Sequence, residues 1–458
     1  MSEVSSKVAK EYADAADFNA DTKKVFAGET TGMYQRYDYT ELAADEKKFA
    51  KMIGVPDTAL FNSGMAAIHT AIEAEALKPG EIVFCSHDVY GVTKEYVATL
   101  KKRGIKIYYF DPSSIEDLAV LSGKMKPRLI IAETVANSKE MKMVDLPAYA
   151  QLLESINKKY HDELSPGKVL DKYLSTTESL KNLSKSFRDN FLQAIVEFQI
   201  GNNPFVFREA FKDSMNELGL SKKETIQALY SMVKHVMSVS REKLSLIIDN
   251  TLPSPVLINP IEQVGEAATE MTVVESGTKH YQGGKNKITL GIVYSKDPEK
   301  IKQIKNLRVQ TGAYLQGVSE TEIPKDIVNI MQEKLKKHAV NALTLAKALE
   351  EKGFTVYHPN LKSHKQSELA NTLSPNGVVT LFYIDLPDNI SDRDGFMDKV
   401  KKIGGDAVGL GSSFGHEKTW LSNFALGDRT IRIAVGMESP EDFSHVVSAF
   451  TEAMSNEI

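Results

Sequence analysis

One cysteine, Cys85, stands in 458 residues, so the chain forms no internal disulfide, and no Cys/His set has the spacing of a zinc site. Nowhere do 18 uncharged apolar residues run together, and no membrane span is expected. The opening MSEVSSKVAKEYADAAD has no apolar stretch of the kind a signal peptide carries. Charge of either sign is barely in excess: 56 Lys+Arg face 61 Asp+Glu, a net charge of −5. That leaves no basic surface for nucleic acid or for acidic lipid. No G-x-G-x-x-G follows the first strand-like segment, which removes the usual signal for a nicotinamide or nucleotide cofactor. The composition, 42% hydrophobic and 26% charged, is that of ordinary globular proteins rather than of disordered or fibrous ones. A soluble cytoplasmic chain of two or three packed units, acting on small molecules, is the expectation.

Apolar runs carry the fold signal. Short ones occur at EIVFC (81–85), KIYYF (106–110), RLIIA (128–132), SLIID (245–249), MTVVE (271–275) and TLGIVY (289–294), separated by segments of helical character. Met65, Ile68, Ala71, Ile72 and Ala76 recur at helical spacing. Strands alternating with helices predict an α/β fold, a mainly parallel sheet with helices on both faces. Residues 1–50, charged and punctuated by aromatics (MYQRYDYTE), read as an arm. Residues 51–300 read as the large domain and 301–458, with FTVYH, VVTLFYIDL and TIRIAV as strands, as a smaller α+β domain. Residues 156–243 interrupt the alternation. They are Lys/Glu/Ser-rich and carry helical periodicity at Ile226, Leu229, Val233, Val236 and Met237, with a Ser221/Glu224 capping box, so they read as a helical insertion. Met215, Met232 and Met237 are read as its packing residues.

Three motifs bear chemistry. In FNSGMAAIHTAI (61–72), Ser63 and Gly64 open an apolar helix, whose unpaired N–H groups suit a phosphate, though a simple Ser-capped helix has the same sequence. In LIIDNTLPSP (246–255), Asp249 ends an apolar strand, where open α/β sheets bind ligands and where turn residues also sit. In VVESGTKHYQGG (273–284), Lys279 follows another apolar strand. A lysine in a partly apolar site loses proton affinity and gains Schiff-base chemistry; a surface lysine in a turn is the other reading. Together, a phosphate cup, a strand-end acid and a strand-end lysine are the parts that hold pyridoxal 5′-phosphate.

The chain resembles the Cys/Met-metabolism family of fold-type I pyridoxal-phosphate enzymes, the cystathionine γ-synthase, cystathionine γ-lyase and methionine γ-lyase group. Seven short matches in family order carry the resemblance: Tyr34-Gln35-Arg36; Ser63-Gly64-Met65-Ala66-Ala67; Asp88 with Tyr90, Gly91 and Thr93; Glu133 with Asn137; Asp249-Asn250-Thr251; Ser276 with Thr278 and Lys279; and Arg432 with Gly436 and Glu438. The resemblance implies that Lys279 is the Schiff-base lysine and proton shuttle, and that Asp249 keeps the pyridine nitrogen protonated. It assigns the phosphate to Gly64, Met65, Ser276 and Thr278, with Ser63 also among the cofactor-binding residues. Tyr34 and Arg36 would reach that phosphate from a neighbouring subunit, so a homodimer or homotetramer with shared active sites is implied. Tyr90 would stack on the ring and assist the leaving group, Asn137 would bond the phenolic oxygen, and Arg432 would take the substrate carboxylate. Gly409 and Phe414 fall at the substrate side.

The expected activity is γ-elimination or γ-replacement on a homoserine ester, methionine or a cystathionine-like amino acid. β-Elimination, transamination, or cofactor binding without turnover are the alternatives. The family's Ser-Leu-Gly-Gly is Gly409-Leu410-Gly411-Ser412 here, and Phe414 takes a position where an amino-group-binding Glu is common, which speaks against cystathionine. His280 replaces the usual Tyr after the lysine; it and His416 are read as structural. The insertion is open to four readings: lid, oligomer contact, docking surface or decoration.

Overall fold

The structure, a computed structural model, describes residues 9–26, 33–37, 39–177, 180, 183–201, 221–239, 243–423 and 426–455. The chain divides into two compact units, residues 1–151 with 245–458, and residues 152–244.

In the first unit, seven strands form one sheet. They are β1 (Asp57–Phe61), β2 (Ile82–Ser86), β3 (Lys106–Phe110), β4 (Leu129–Glu133), β5 (Ser245–Asp249), β6 (Met271–Ser276) and β7 (Gly291–Ser295), in the spatial order β1-β7-β6-β5-β4-β2-β3. The pairs from β6 through β5, β4 and β2 to β3 are parallel, while β7 runs antiparallel to both its neighbours. β4 is buried at all five positions and β5 at four of five, as a sheet covered on both faces requires. Cys85 lies buried in β2, and burial pushes its thiol up to about 12, so it is no nucleophile.

A second sheet is built from β8 (Thr355–Tyr357), β9 (Leu381–Asp385), β10 (Val408–Leu410), β11 (Thr419–Ser422) and β12 (Thr430–Ala434), ordered β10-β11-β12-β9-β8. Only β10 and β11 pair in parallel. β12 sets Arg432 opposite Tyr383 of β9, a register that matters below.

Residues 40–50, expected in the arm, instead begin the helix Thr40–Ile53, which buries Leu42, Phe49, Ala50 and Ile53. Its Glu46 accepts from the Leu60 N–H at 2.8 Å and pairs with the buried Arg308, which ties the helix to β1. Leu42, Phe49 and Ile53 lie at the 3–4 residue spacing of one helix face, a signal that the charged residues between them obscured.

The second unit is helical among its described residues and contains Pro166–Thr176, Lys185–Gly201 and Lys222–Val239. It has its own core of Leu170, Leu174, Phe187, Phe191, Leu229, Met232 and Val236. The Ser221/Glu224 box forms: the Ser221 hydroxyl donates to Glu224 at 2.5 Å, and the Ser221 N–H donates at 3.0 Å. Met215 lies outside the described residues. Among the described residues, no helix is long and apolar enough to cross a membrane, and no His/Cys/Asp/Glu group is arranged for a metal ion.

Candidate active site

The C-terminal ends of β4, β5 and β6 open into a pocket of about 310 Å³. Where parallel strands end, backbone groups and side chains face a common crevice. Ser63, Gly64, Met65, Tyr90, Asn137, Asp249, Ser276, Thr278, Lys279, Phe414 and Arg432 all line it. These residues come from seven separate stretches of sequence, brought together by the sheet order.

One end of the pocket is the start of the helix Gly64–Glu73. Ser63 caps it, its hydroxyl accepting from the Ala66 N–H at 3.1 Å. The N–H groups of Gly64 and Met65 have no protein acceptor among the described residues. Only glycine fits at 64, where a Cβ would stand 2.9 Å from that of Ser276. The Thr278 hydroxyl is already engaged, accepting from the Leu290 N–H at 3.0 Å.

The floor is acidic. Glu133 and Asp249 are register partners on β4 and β5 and project side by side. Asp249 accepts from both the N–H and the hydroxyl of Thr251, at 2.9 Å for the former. Burial holds its carboxyl above the ordinary range. Glu133 accepts from the backbone N–H of Tyr90 at 2.6 Å and of Asn137 at 3.1 Å, tying two pocket loops to one carboxylate. Burial, then the neighbouring Asp249, raise it too. Glu275 accepts from the hydroxyls of Tyr294 (2.5 Å) and Tyr281 (2.7 Å), and burial pushes it up to about 8. No lysine or arginine pairs with these three acids among the described residues.

The opposite wall is basic. Lys279 sits on the turn after β6, and its proton affinity is lowered by burial and by Arg432. Its amine donates to Ser413 at 2.9 Å and lies 5.1 Å from the Phe414 ring centre. Arg432 donates to the Ser412 carbonyl, while its buried Nε has no partner among the described residues. Asn137 accepts from the Tyr383 hydroxyl at 2.9 Å, which links β9 to the loop after β4.

Three expected site residues are not in this pocket. Tyr34 and Arg36 lie together, the guanidinium 5.4 Å from the Tyr34 ring centre. Gly409 is not among the lining residues. It pairs in β10 beside Trp420, whose indole nitrogen would lie 2.9 Å from a Cβ at 409, and Ser412 lines the pocket instead. His280 is buried 3.3 Å from the Leu252 carbonyl and held down to about 3 by burial, so it stays neutral; His416 stacks on Trp420 at 3.9 Å. Sequence reasoning gave no role to Thr251, Glu275, Ser412, Ser413 or Tyr383. Glu133 and Glu275 each end an apolar run as Asp249 does, so the same signal was there to find them.

An open α/β sheet whose strand ends gather a lysine, an unpaired acid and a bare helix start defines a pyridoxal-phosphate enzyme of fold-type I. The model of the Cys/Met metabolism PLP-dependent enzyme family matches residues 3–160 and 224–451, and the chain belongs to that family. The gap in that match falls inside the helical unit. A cystathionine beta-lyase of Neurospora crassa is 22% identical over 424 residues, 89% of this chain and 71% of its own length. An O-succinylhomoserine sulfhydrylase of Mycobacterium tuberculosis is 27% identical over 217 residues, 43% of this chain and 51% of its own. The crystal structure of a cystathionine gamma synthase from Xanthomonas oryzae pv. oryzae, in complex with aminoacrylate and cysteine, superposes with a TM-score of 0.64 at 18% identity, covering 98% of this chain and 92% of that one. The chain is thus a pyridoxal-phosphate-dependent enzyme of sulfur amino-acid metabolism.

The residues present fit that cofactor. Three buried acids without a cationic partner suit a protonated pyridine nitrogen, and two unsatisfied N–H groups at a helix start suit a phosphate. A lysine amine without an acid partner among the described residues suits an aldehyde.

Proposed function

We propose that this enzyme acts at Cγ of an amino acid whose γ-substituent is uncharged, such as methionine or an acyl homoserine, by elimination or by thiol replacement. Bound pyridoxal phosphate supplies an aldehyde for the substrate amine and a protonated ring that accepts electrons from Cα. Lys279 would hold the aldehyde at rest and carry protons at Cα and Cβ. Asp249 would face the ring nitrogen, with Gly64, Met65, Ser63, Ser276 and Thr278 around the phosphate. Tyr90 would stack on the ring and lend its hydroxyl to the leaving group, and Asn137 would bond the phenolic oxygen. Arg432 would take the α-carboxylate as a bidentate pair. Tyr34 and Arg36 would complete the phosphate site of a second copy, making the working form a cytoplasmic homodimer or homotetramer.

The observation carrying this reading is the charge inventory of this pocket as the described residues of one chain line it. Its two cations, Lys279 and Arg432, are both needed for the cofactor and the α-carboxylate. Among the described residues that line it, the rest of the substrate side offers Phe414, Val135 and Leu252, with no third cation for a succinyl or phosphoryl group once a second copy's Arg36 is committed to the cofactor phosphate, and no acid beyond the floor for a distal ammonium. The test is a panel of methionine, O-acetyl-, O-succinyl- and O-phosphohomoserine, cystathionine and cysteine, scored for oxo acid, ammonia and thioether. 2-Oxobutyrate or a thioether from methionine or O-acetylhomoserine is expected; turnover of the charged substrates alone refutes the reading. β-Elimination is the second reading, favoured by the match along most of the chain to a protein named cystathionine beta-lyase, and pyruvate without 2-oxobutyrate from cystathionine selects it.

A further inference from the structure

Asn137 is held at two points. Its backbone N–H donates to Glu133 at 3.1 Å, which fixes the start of the loop after β4. Its side chain is held from the other sheet. The hydroxyl of Tyr383, on β9, donates to Asn137 Oδ1 at 2.9 Å and lies 3.2 Å from the Asn137 carbonyl oxygen. Asn137 Nδ2 has no protein acceptor among the described residues, and Asn137 lines the pocket. Tyr383 is itself well fixed: it is 2% exposed, and its register partner on β12 is Arg432. Burial raises its phenol to about 12, with the Arg432 guanidinium opposing, so the hydroxyl keeps its proton and stays a donor. A guanidinium has N–H donors and no acceptor, so that proton cannot be turned toward Arg432. Asn137 is where it goes.

We infer that Tyr383 is a positioning residue that sets which end of the Asn137 amide faces the pocket. An amide carries an acceptor at one end and a donor at the other, and a half-turn of the side chain exchanges them. Engaging Oδ1 leaves the Nδ2 donor for the pocket, where the phenolic oxygen of pyridoxal phosphate would accept from it. A flipped amide would instead set two oxygens against each other. The glutamate contact alone does not prevent that flip, because it holds the backbone of Asn137 and not its side chain. The inference rests on the reading of Asn137 as the residue that meets the phenolic oxygen.

The test is the affinity of the cofactor-free protein for two compounds: pyridoxine 5′-phosphate, and its 3-deoxy analogue, which lacks the phenolic oxygen. Wild type, Tyr383→Phe, Asn137→Ala and the double variant are compared. Wild type is expected to prefer pyridoxine 5′-phosphate, and Tyr383→Phe to lose roughly three- to tenfold of that preference, the worth of one hydrogen bond. The affinity for the 3-deoxy analogue should be the same in wild type and Tyr383→Phe. In the Asn137→Ala background, Tyr383→Phe should remove nothing further. A preference in Tyr383→Phe equal to that of wild type overturns the inference. So does an equal loss of affinity for both compounds, because Tyr383 would then shape the pocket rather than orient the amide. A further loss of preference in the double variant overturns it as well. A wild type with no preference refutes the reading of Asn137, and the inference with it.

Discussion

The two walls of the pocket are built by opposite rules. The sheet wall is a row of acids at the ends of β4, β5 and β6, each locked by backbone or hydroxyl donors from the loops and turns at the strand ends and, for Glu275, also from Tyr294 of β7. The facing wall is a loop, residues 412–415, with Arg432 of the second sheet behind it, and its contacts are a few single hydrogen bonds and an aromatic face. The rigid wall holds its acids at a cost in desolvation that raises their proton affinity; the loop wall, beside the buried Lys279 amine, is where substrates are proposed to be distinguished. Chemistry is thereby separated from selection, and substitutions on the two sides are expected to fail in different ways.

Lys279→Ala removes the proposed attachment point and is expected to lower kcat by more than about a thousandfold, measured by product formation under saturating substrate. A variant that keeps a tenth of the activity would move the chemistry away from this wall. Arg432→Ala removes the proposed α-carboxylate contact: KM should rise roughly a hundredfold with a smaller change in kcat, the loss expected for a charge-assisted bond. An unchanged KM would place the substrate carboxylate elsewhere.

Phe414→Glu puts a carboxylate where the Lys279 amine now meets a ring. An acid partner favours the ammonium, so the lowered proton affinity of Lys279 is reversed. The pH at which half of Lys279 in the cofactor-free protein reacts with dinitrofluorobenzene should rise by roughly one to three units. No rise would show that the loop does not govern the amine.

The smallest effect belongs to the floor. Glu275 has its proton affinity raised to about 8 by burial, so the folded chain holds a proton there that the unfolded chain releases near its ordinary value. Its contribution to stability is full below that ordinary value and lost as pH rises through about 8. Glu275→Gln should therefore flatten the decline in urea stability between pH 5 and pH 8 by on the order of 2 kcal/mol. A decline as steep as in wild type would mean that Glu275 is ionised throughout.

The sheet wall was legible in the sequence because it is made of local signals: an apolar run of about five residues followed by Asp249, by Ser276 and Lys279, or by the Glu133–Asn137 pair. The loop wall was not. Ser413 meets Lys279 across 134 positions, and Tyr383 meets Asn137 across 246, so neither contact leaves a periodicity in the chain. β10 and β11, three and four residues long, are too short for a strand pattern to emerge, so the pairing of Gly409 beside Trp420 could not be seen. The helix Thr40–Ile53 was hidden for another reason. Its buried Glu46 looks like surface until Arg308, 262 positions away, is brought beside it.

The most direct measurement of the whole account is the mass of each lysine-bearing peptide after the protein is loaded with pyridoxal 5′-phosphate, reduced with borohydride and digested. The account predicts one phosphopyridoxyl group per chain, on Lys279, and none on the same peptide from Lys279→Ala. Label spread over exposed lysines, or a wild-type Lys279 peptide of unaltered mass, would contradict it.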